Sequence, residues 1–200
     1  YQKFTNIIGA TTTMLNPDSW EGWYWGAMHH YGHSMRNGAA EIYGQVEDCL
    51  QEAEMIVFWS SDPEVTNGVY GSFEGTVRRQ WAKELGIEMI HIDPFFNETA
   101  AFLGGKWIAP RPTTSPALAQ AITHVWIKEE LYDSEYVERC TTGFKKWAAY
   151  ILGEDEEGIE RTPEWAEEET GVPSREIRAL ARKWAAKKTY LSAGGMGTTL

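Results

Sequence analysis

The feature that most constrains this chain is a repeated unit: a short apolar run, a turn of small polar residues, then a segment with helical periodicity. Met55-Ile-Val-Phe-Trp59 is such a run and closes on Ser60-Ser61-Asp62-Pro63, which predicts a buried strand followed by a turn. The next helix is expected to be capped by Ser72, to carry Val77, Trp81 and Leu85 on one apolar face, and to end at Gly86, where a helix C-terminus favours positive φ. Ile87 to Ile92 reads as a second strand ending at Asp93-Pro94, and Lys106 to Ala109 as a third extended piece. Ser115 is the expected N-cap of the following helix, with Pro116 in its first turn and Leu118, Ile122, Val125 and Trp126 as its apolar stripe. Tyr136 to Ile151 is helical in pattern. A last helix from Ser174 turns Ile177, Leu180, Ala181, Trp184 and Ala185 inward, and Thr189 to Ala193 is the final strand. Strand–helix–strand units of this length predict an α/β fold, a Rossmann-like parallel sheet with helices on both faces and right-handed crossovers.

Composition narrows the partners. The 200 residues carry 18 Lys+Arg against 29 Asp+Glu, a net charge of −11, and 42% are apolar. Such a chain can bury roughly 70% of its unfolded surface. The acidic balance argues against binding to nucleic acid, which relies on clustered Lys and Arg, and no apolar stretch is long enough to predict a membrane span. Cys49 and Cys140 form neither a disulfide framework nor a CxxC pair. The segment 154–169 holds nine acids and one arginine, and is expected to be a solvated surface or insertion backed by the basic last helix. The chain opens on Tyr1 and closes in a glycine-rich stretch, and is expected to be an excerpt of a longer polypeptide.

In a parallel sheet, ligands bind beyond the carboxyl ends of the strands. The residues there are Ser60, Ser61 and Asp62 after the first strand, Asp93 with Thr99 after the second, and Thr113 and Thr114 before the helix. Small hydroxyl residues leading into a helix suit a pyrophosphate, and an acid at a strand end suits N–H donors of a nucleotide. The same residues also make caps and turns, and no GxGxxG follows the first strand. Residues 1–45 have a different texture, rich in Gly, Thr, Asn, His and aromatics. Within them, Asp18-Ser19-Trp20 lies among Trp23, Tyr24 and Trp25. Burial there would raise a carboxyl pKa toward that of a useful acid, although a turn packed under tryptophans has the same composition. His29, His30 and His33 lack the spacing of a zinc site.

The order of motifs resembles the dimethyl sulfoxide reductase family of molybdenum and tungsten enzymes. The resemblance is carried by Met55-Ile-Val-Phe-Trp-Ser-Ser-Asp-Pro-Glu-Val-Thr-Asn67, Ile92-Asp-Pro-Phe-Phe-Asn-Glu-Thr-Ala100 and Ile108-Ala-Pro-Arg-Pro-Thr-Thr-Ser-Pro-Ala-Leu118. His124-Val-Trp-Ile-Lys128, Thr142-Gly-Phe144 and Ile177-Arg-Ala-Leu-Ala-Arg-Lys-Trp-Ala185 continue it. It implies molybdenum, with tungsten as the variant metal, between two molybdopterin guanine dinucleotides. Residues 46–200 would be the Rossmann-like dinucleotide-binding domain, and residues 1–45 an irregular metal-site segment of a neighbouring domain. Trp59, Ser60, Ser61 and Asp62 would line one dinucleotide, Asp93 and Pro94 would contact its guanosine end, and Thr114 and Ser115 would meet the same cofactor. Where the family commonly has Pro-Gly-Thr-Asp, this chain has Pro112-Thr113-Thr114-Ser115, without the glycine or the acid.

The resemblance further implies Ser19 as the metal ligand, a hard oxygen donor suited to a high-valent centre; Asp18 as the catalytic acid–base group; and Trp20 as a substrate-binding wall. Asp18-Ser19-Trp20 is most similar to members that transfer a hydroxyl group between polyhydroxylated benzenes, pyrogallol to phloroglucinol, without net redox change. The alternative activity is oxygen-atom transfer from sulfoxides or amine N-oxides. A small phenolic substrate and cosubstrate, an iron–sulfur small subunit carrying the clusters, and a cytoplasmic location complete what the resemblance implies. A non-catalytic nucleotide-binding module is the reading from another class.

Overall fold

A computed structural model of the chain describes residues 46–66 and 74–193, together with residues 7, 9, 26 and 28–30. By internal contacts the chain divides into Ile42–Gly194 and a second unit made of Tyr1–Glu41 with Gly195–Leu200. The fold below is that of the first.

Four parallel strands run in the order β3-β2-β1-β4. They are β1 (Met55–Trp59), β2 (Glu88–Ile92), β3 (Lys106–Ile108) and β4 (Thr189–Ala193). Between them lie α1 (Val46–Glu52), α2 (Pro63–Thr66), α3 (Glu74–Glu84), α4 (Glu98–Leu103), α5 (Ser115–Lys128), α6 (Ser134–Cys140), α7 (Phe144–Leu152), α8 (Pro163–Thr170) and α9 (Ser174–Ala186). The first and last strands lie where the sequence places them. The second starts one residue later than expected and the third stops at Ile108.

Alternation along the central strands sends side chains to two cores. Met55, Val57, Ile90 and Ile92 pack with Leu118, Ile122 and Val125 of α5, Ala166 of α8 and Ile177, Leu180 and Ala181 of α9. Ile56, Phe58 and Met89 face the other way, against Cys49 of α1, Ala82 of α3 and Leu103 of α4. Strands covered on both faces read as unbroken apolar runs, which is why β1 was so legible. Gly105 sets the approach of β3. At φ +104 an added Cβ would lie 2.3 Å from the Met89 carbonyl oxygen, so only glycine lets the edge strand close on β2.

Three expectations need correction. Val77, Trp81 and Leu85 are 42%, 50% and 63% exposed, and the buried residue of α3 is Ala82; spacing predicted one face, but the small side chain is what seats the helix on the sheet. The stretch from Tyr136 to Ile151 is two helices, interrupted at Thr141-Thr142-Gly143, where Gly143 takes φ +82. Ala185 of α9 is exposed. The acidic run is the expected solvated surface, most of its acids being exposed and Glu164 pairing with Arg178 of the basic last helix. It builds α8, and its Arg161 is 2% exposed, donating to the carbonyls of Tyr150 (2.6 Å) and Ile159 and to Glu157 Oε2 (2.5 Å), with its guanidinium 3.6 Å from the Tyr150 ring centroid. Among the described residues no helix is long and apolar enough to cross a membrane.

Candidate functional site

The chain steps from β1 to β2 to β3 in one direction and then places β4 on the opposite side of β1. Strand order reverses there, and in sheets of this kind the carboxyl ends at such a reversal, here those of β1 and β4, are where ligands bind. Trp59 and Ala193 are register partners at these ends. Ser61 Oγ and Ser192 Oγ, from the two sides, lie 3.2 Å apart.

Each residue assigned from the sequence to the cofactor is half-buried at this edge. Ser60 continues the ladder through its N–H to the Ile92 carbonyl (2.8 Å), and Asp93 does the same to Ile108 (3.1 Å). Ser60 holds φ +47 and Thr113 φ +69. The left-handed turn before α5 is therefore kept although a β-branched residue occupies it, at a cost on the order of 1–3 kcal/mol. Non-glycine strain at both loops facing one edge is a feature of binding sites.

Ser115 is not the N-cap. Thr114 holds that position without a side-chain cap bond, its hydroxyl turning back to the Arg111 carbonyl at 2.7 Å. Ser115 is the first helical residue, and its Oγ accepts the Trp59 indole N–H at 3.1 Å. This bond fixes the indole at the end of β1, where Trp184 lies 6.3 Å away between ring centroids. Among the described residues, no acceptor engages the backbone N–H groups of Thr113 and Ser115. Amides and hydroxyls at a helix N-terminus are the donor set a pyrophosphate requires, so these residues fit the phosphate-bearing end of a dinucleotide.

Among the described residues, hydroxyl, amide and backbone N–H groups donate to the two acids. Asp62 Oδ1 accepts the Thr99 hydroxyl at 2.6 Å and the Thr99 N–H at 3.0 Å. Asp93 Oδ1 accepts the Phe95 N–H (2.9 Å), Oδ2 accepts the Asn97 amide (3.2 Å), and its carbonyl takes the Trp107 indole (2.8 Å). Asp93-Pro94 therefore does make a turn. A carboxylate offers about four lone-pair directions, so the turn leaves Asp93 capacity for a further donor. Asn97 and Ser192 escaped the sequence reading. For Asn97 the signal was present, an Asn directly before Glu98-Thr99-Ala100, the signature of an N-cap.

His91 was also missed. It is buried on β2, stacked on Phe58 at 5.0 Å and 7°, and its Nε2–H donates to the Gly104 carbonyl at 2.8 Å. Burial holds its pKa below the ordinary histidine value, with Gly104 and the charges of Asp62 and Asp93 acting weakly the other way. Asp18, Ser19 and Trp20 lie outside the described residues.

The family model described as Molybdopterin oxidoreductase matches residues 1–194. The chain belongs to the molybdopterin oxidoreductase family. Membership implies a molybdopterin cofactor with molybdenum, and the donors at this edge suit its anionic end. Pyrogallol hydroxytransferase large subunit of Pelobacter acidigallici is 54% identical over 98% of this chain and 22% of its own length. A dimethyl sulfoxide/trimethylamine N-oxide reductase of Cereibacter sphaeroides is 37% identical over 78% of the chain and 20% of its own. The chain thus spans about a fifth of these molybdopterin relatives. Acetylene hydratase from Pelobacter acetylenicus shares the fold, with TM-score 0.58, 23% identity and coverage of 71% of this chain and 18% of that one.

Proposed function

We propose that this chain is a segment of the large subunit of a molybdenum enzyme that moves a hydroxyl group between polyhydroxylated benzenes, converting pyrogallol to phloroglucinol with a tetrahydroxybenzene cosubstrate and no net redox change. The observation that carries this reading is the 54% identity to a pyrogallol hydroxytransferase along nearly the whole chain, against 37% over 78% for the reductase. The cofactor is two molybdopterin guanine dinucleotides, one of them held by Trp59, Ser60, Ser61, Asp62, Asp93, Pro94, Thr114 and Ser115. When bound, it supplies a Lewis-acidic metal that binds oxygen. Residues 1–45 belong to the metal-site domain and residues 46–200 to the dinucleotide-binding domain. Ser19 ligates the metal, Trp20 stacks on the electron-rich ring, and Asp18 exchanges a proton with a substrate hydroxyl. An acid beside the ligand serves a phenol, whose hydroxyl must lose and regain its proton, more than it serves simple oxygen-atom transfer. A small subunit carries iron–sulfur clusters, and the complex is cytoplasmic.

The test uses the full-length enzyme under anaerobic conditions, with metal analysis and pyrogallol turnover for wild type, Ser19→Ala and Asp18→Asn. Asp18→Asn is expected to retain metal and lose pyrogallol conversion, and Ser19→Ala to lose metal or alter its spectrum. A wild type that ignores pyrogallol but reduces a sulfoxide or N-oxide would replace this reading with the reductase one.

A further inference from the structure

We propose that Thr99 and Asn97 are positioning residues for the dinucleotide, acting through Asp62 and Asp93. The inference rests on the assignment of the cofactor to this edge of the sheet, and not on the identity of the substrate.

The two loops that follow β1 and β2 are tied to each other by side chains from a third element, the start of α4. The Thr99 side chain is fully buried. Its hydroxyl donates to Asp62 Oδ1 at 2.6 Å and accepts the Glu64 N–H at 3.1 Å, while its own N–H meets the same Asp62 oxygen at 3.0 Å. One residue thereby sets both the orientation of the Asp62 carboxylate and the first turn of α2. Asn97 makes three contacts: its Oδ1 accepts the Ala100 N–H (2.9 Å), and its amide donates to Asp93 Oδ2 (3.2 Å) and reaches the Ser61 carbonyl (3.5 Å).

Capping α4 needs only the Ala100 contact. Asp62 also takes the Thr99 N–H of the first turn of α4, but the Thr99 hydroxyl and Asn97 amide bonds reach beyond that helix. They fix the distance between the Ser61-Asp62 loop and Asp93, the two loops that would flank the nucleotide. The donors that Thr99 and Asn97 contribute to the two acids are neutral. Outer partners of this kind hold a ligand-contacting group in its productive orientation, and around bound metals their loss typically costs about 10–100-fold in affinity.

The test uses the full-length holoenzyme carrying Thr99→Val, Thr99→Ser and Asn97→Asp. Pterin and guanine nucleotide are quantified per folded protein after denaturation, the rate of cofactor loss is followed on dilution, and KM is separated from kcat where turnover is measurable. Thr99→Val keeps the shape and removes both hydroxyl bonds. It should lose cofactor about ten-fold faster, and Thr99→Ser should restore retention. Asn97→Asp keeps the cap and sets a second acid against Asp93, so α4 should stay folded while cofactor content falls. If Thr99→Val and Asn97→Asp melt lower yet hold cofactor as wild type does, the residues are merely structural and the inference is overturned. A wild type rich in cofactor but inert toward pyrogallol breaks only the proposed function. A wild type that carries no pterin overturns both.

Discussion

Carboxylates are satisfied in two different ways in this molecule. At the ends of β1 and β2, Asp62 and Asp93 are held by a threonine, an asparagine amide and backbone N–H groups. In the acidic run, Glu157 meets Arg161, Glu160 meets His124 (2.9 Å) and Lys128 (3.2 Å), and Glu164 meets Arg178 (2.6 Å). Neutral donors fix where a carboxylate points and add no field of their own. Hydrogen bonds from His124 and Lys128 hold the pKa of Glu160, and one from Arg178 that of Glu164, below the usual carboxylate range. The first arrangement suits an edge awaiting an anionic ligand, and the second fastens a peripheral segment to α5 and α9.

The contrast is broken most forcefully at Arg161. Arg161→Met removes a buried guanidinium that three acceptors share, leaving the Tyr150 and Ile159 carbonyls without it. A loss of about 3 kcal/mol is expected, read as a lowered melting temperature of the full-length protein with cofactor retention per folded molecule unchanged. Coupled loss of cofactor would show that the two regions are not independent.

Acid titration separates the regions by pH. The folded-state pKa of His91 is depressed, so the unfolded chain takes the proton first, and stability falls as pH drops below about 6.5. Glu160 and Glu164 are depressed acids, and their contribution is lost only as pH falls below about 4.3 toward their folded pKa values. Denaturant melts at stepped pH should therefore show an upper slope that His91→Phe removes, with the lower one untouched. A single slope insensitive to that change would refute the separation. The smallest effect is expected from Glu160→Gln, about 0.5 kcal/mol, because Glu160 is 43% exposed and water screens its pairs. Added salt should shrink the difference further.

Much of this was readable in the sequence, for identifiable reasons. The runs 55–59 and 189–193 declared themselves because β1 is buried on both faces and each run closes a helix-period segment. Leu118, Ile122 and Val125 were found because a helix packed on a sheet repeats its apolar residues on one face. The stripe Val77-Trp81-Leu85 misled because periodicity identifies a face without saying what covers it. Ser115 misled because a residue one position inside a helix has the same chemistry as a cap, and only the Trp59 contact distinguishes the two. The polar residues after each strand were legible from topology. The clasp was not, because Asp62 and Thr99 stand 37 positions apart and nothing local links them.

The strand order carries a consequence for the chain's assembly in time. Ser61 and Ser192, at the carboxyl ends of β1 and β4, are separated by 131 positions, and Ser192 lies on the last strand of the sheet. In chain order β1, β2 and β3 precede β4, which pairs with the edge of β1 that faces away from β2. Non-local pairing of this kind is slow, since a long loop must close before its contacts form. The Ser61–Ser192 contact forms only once residues 189–193 have docked on β1.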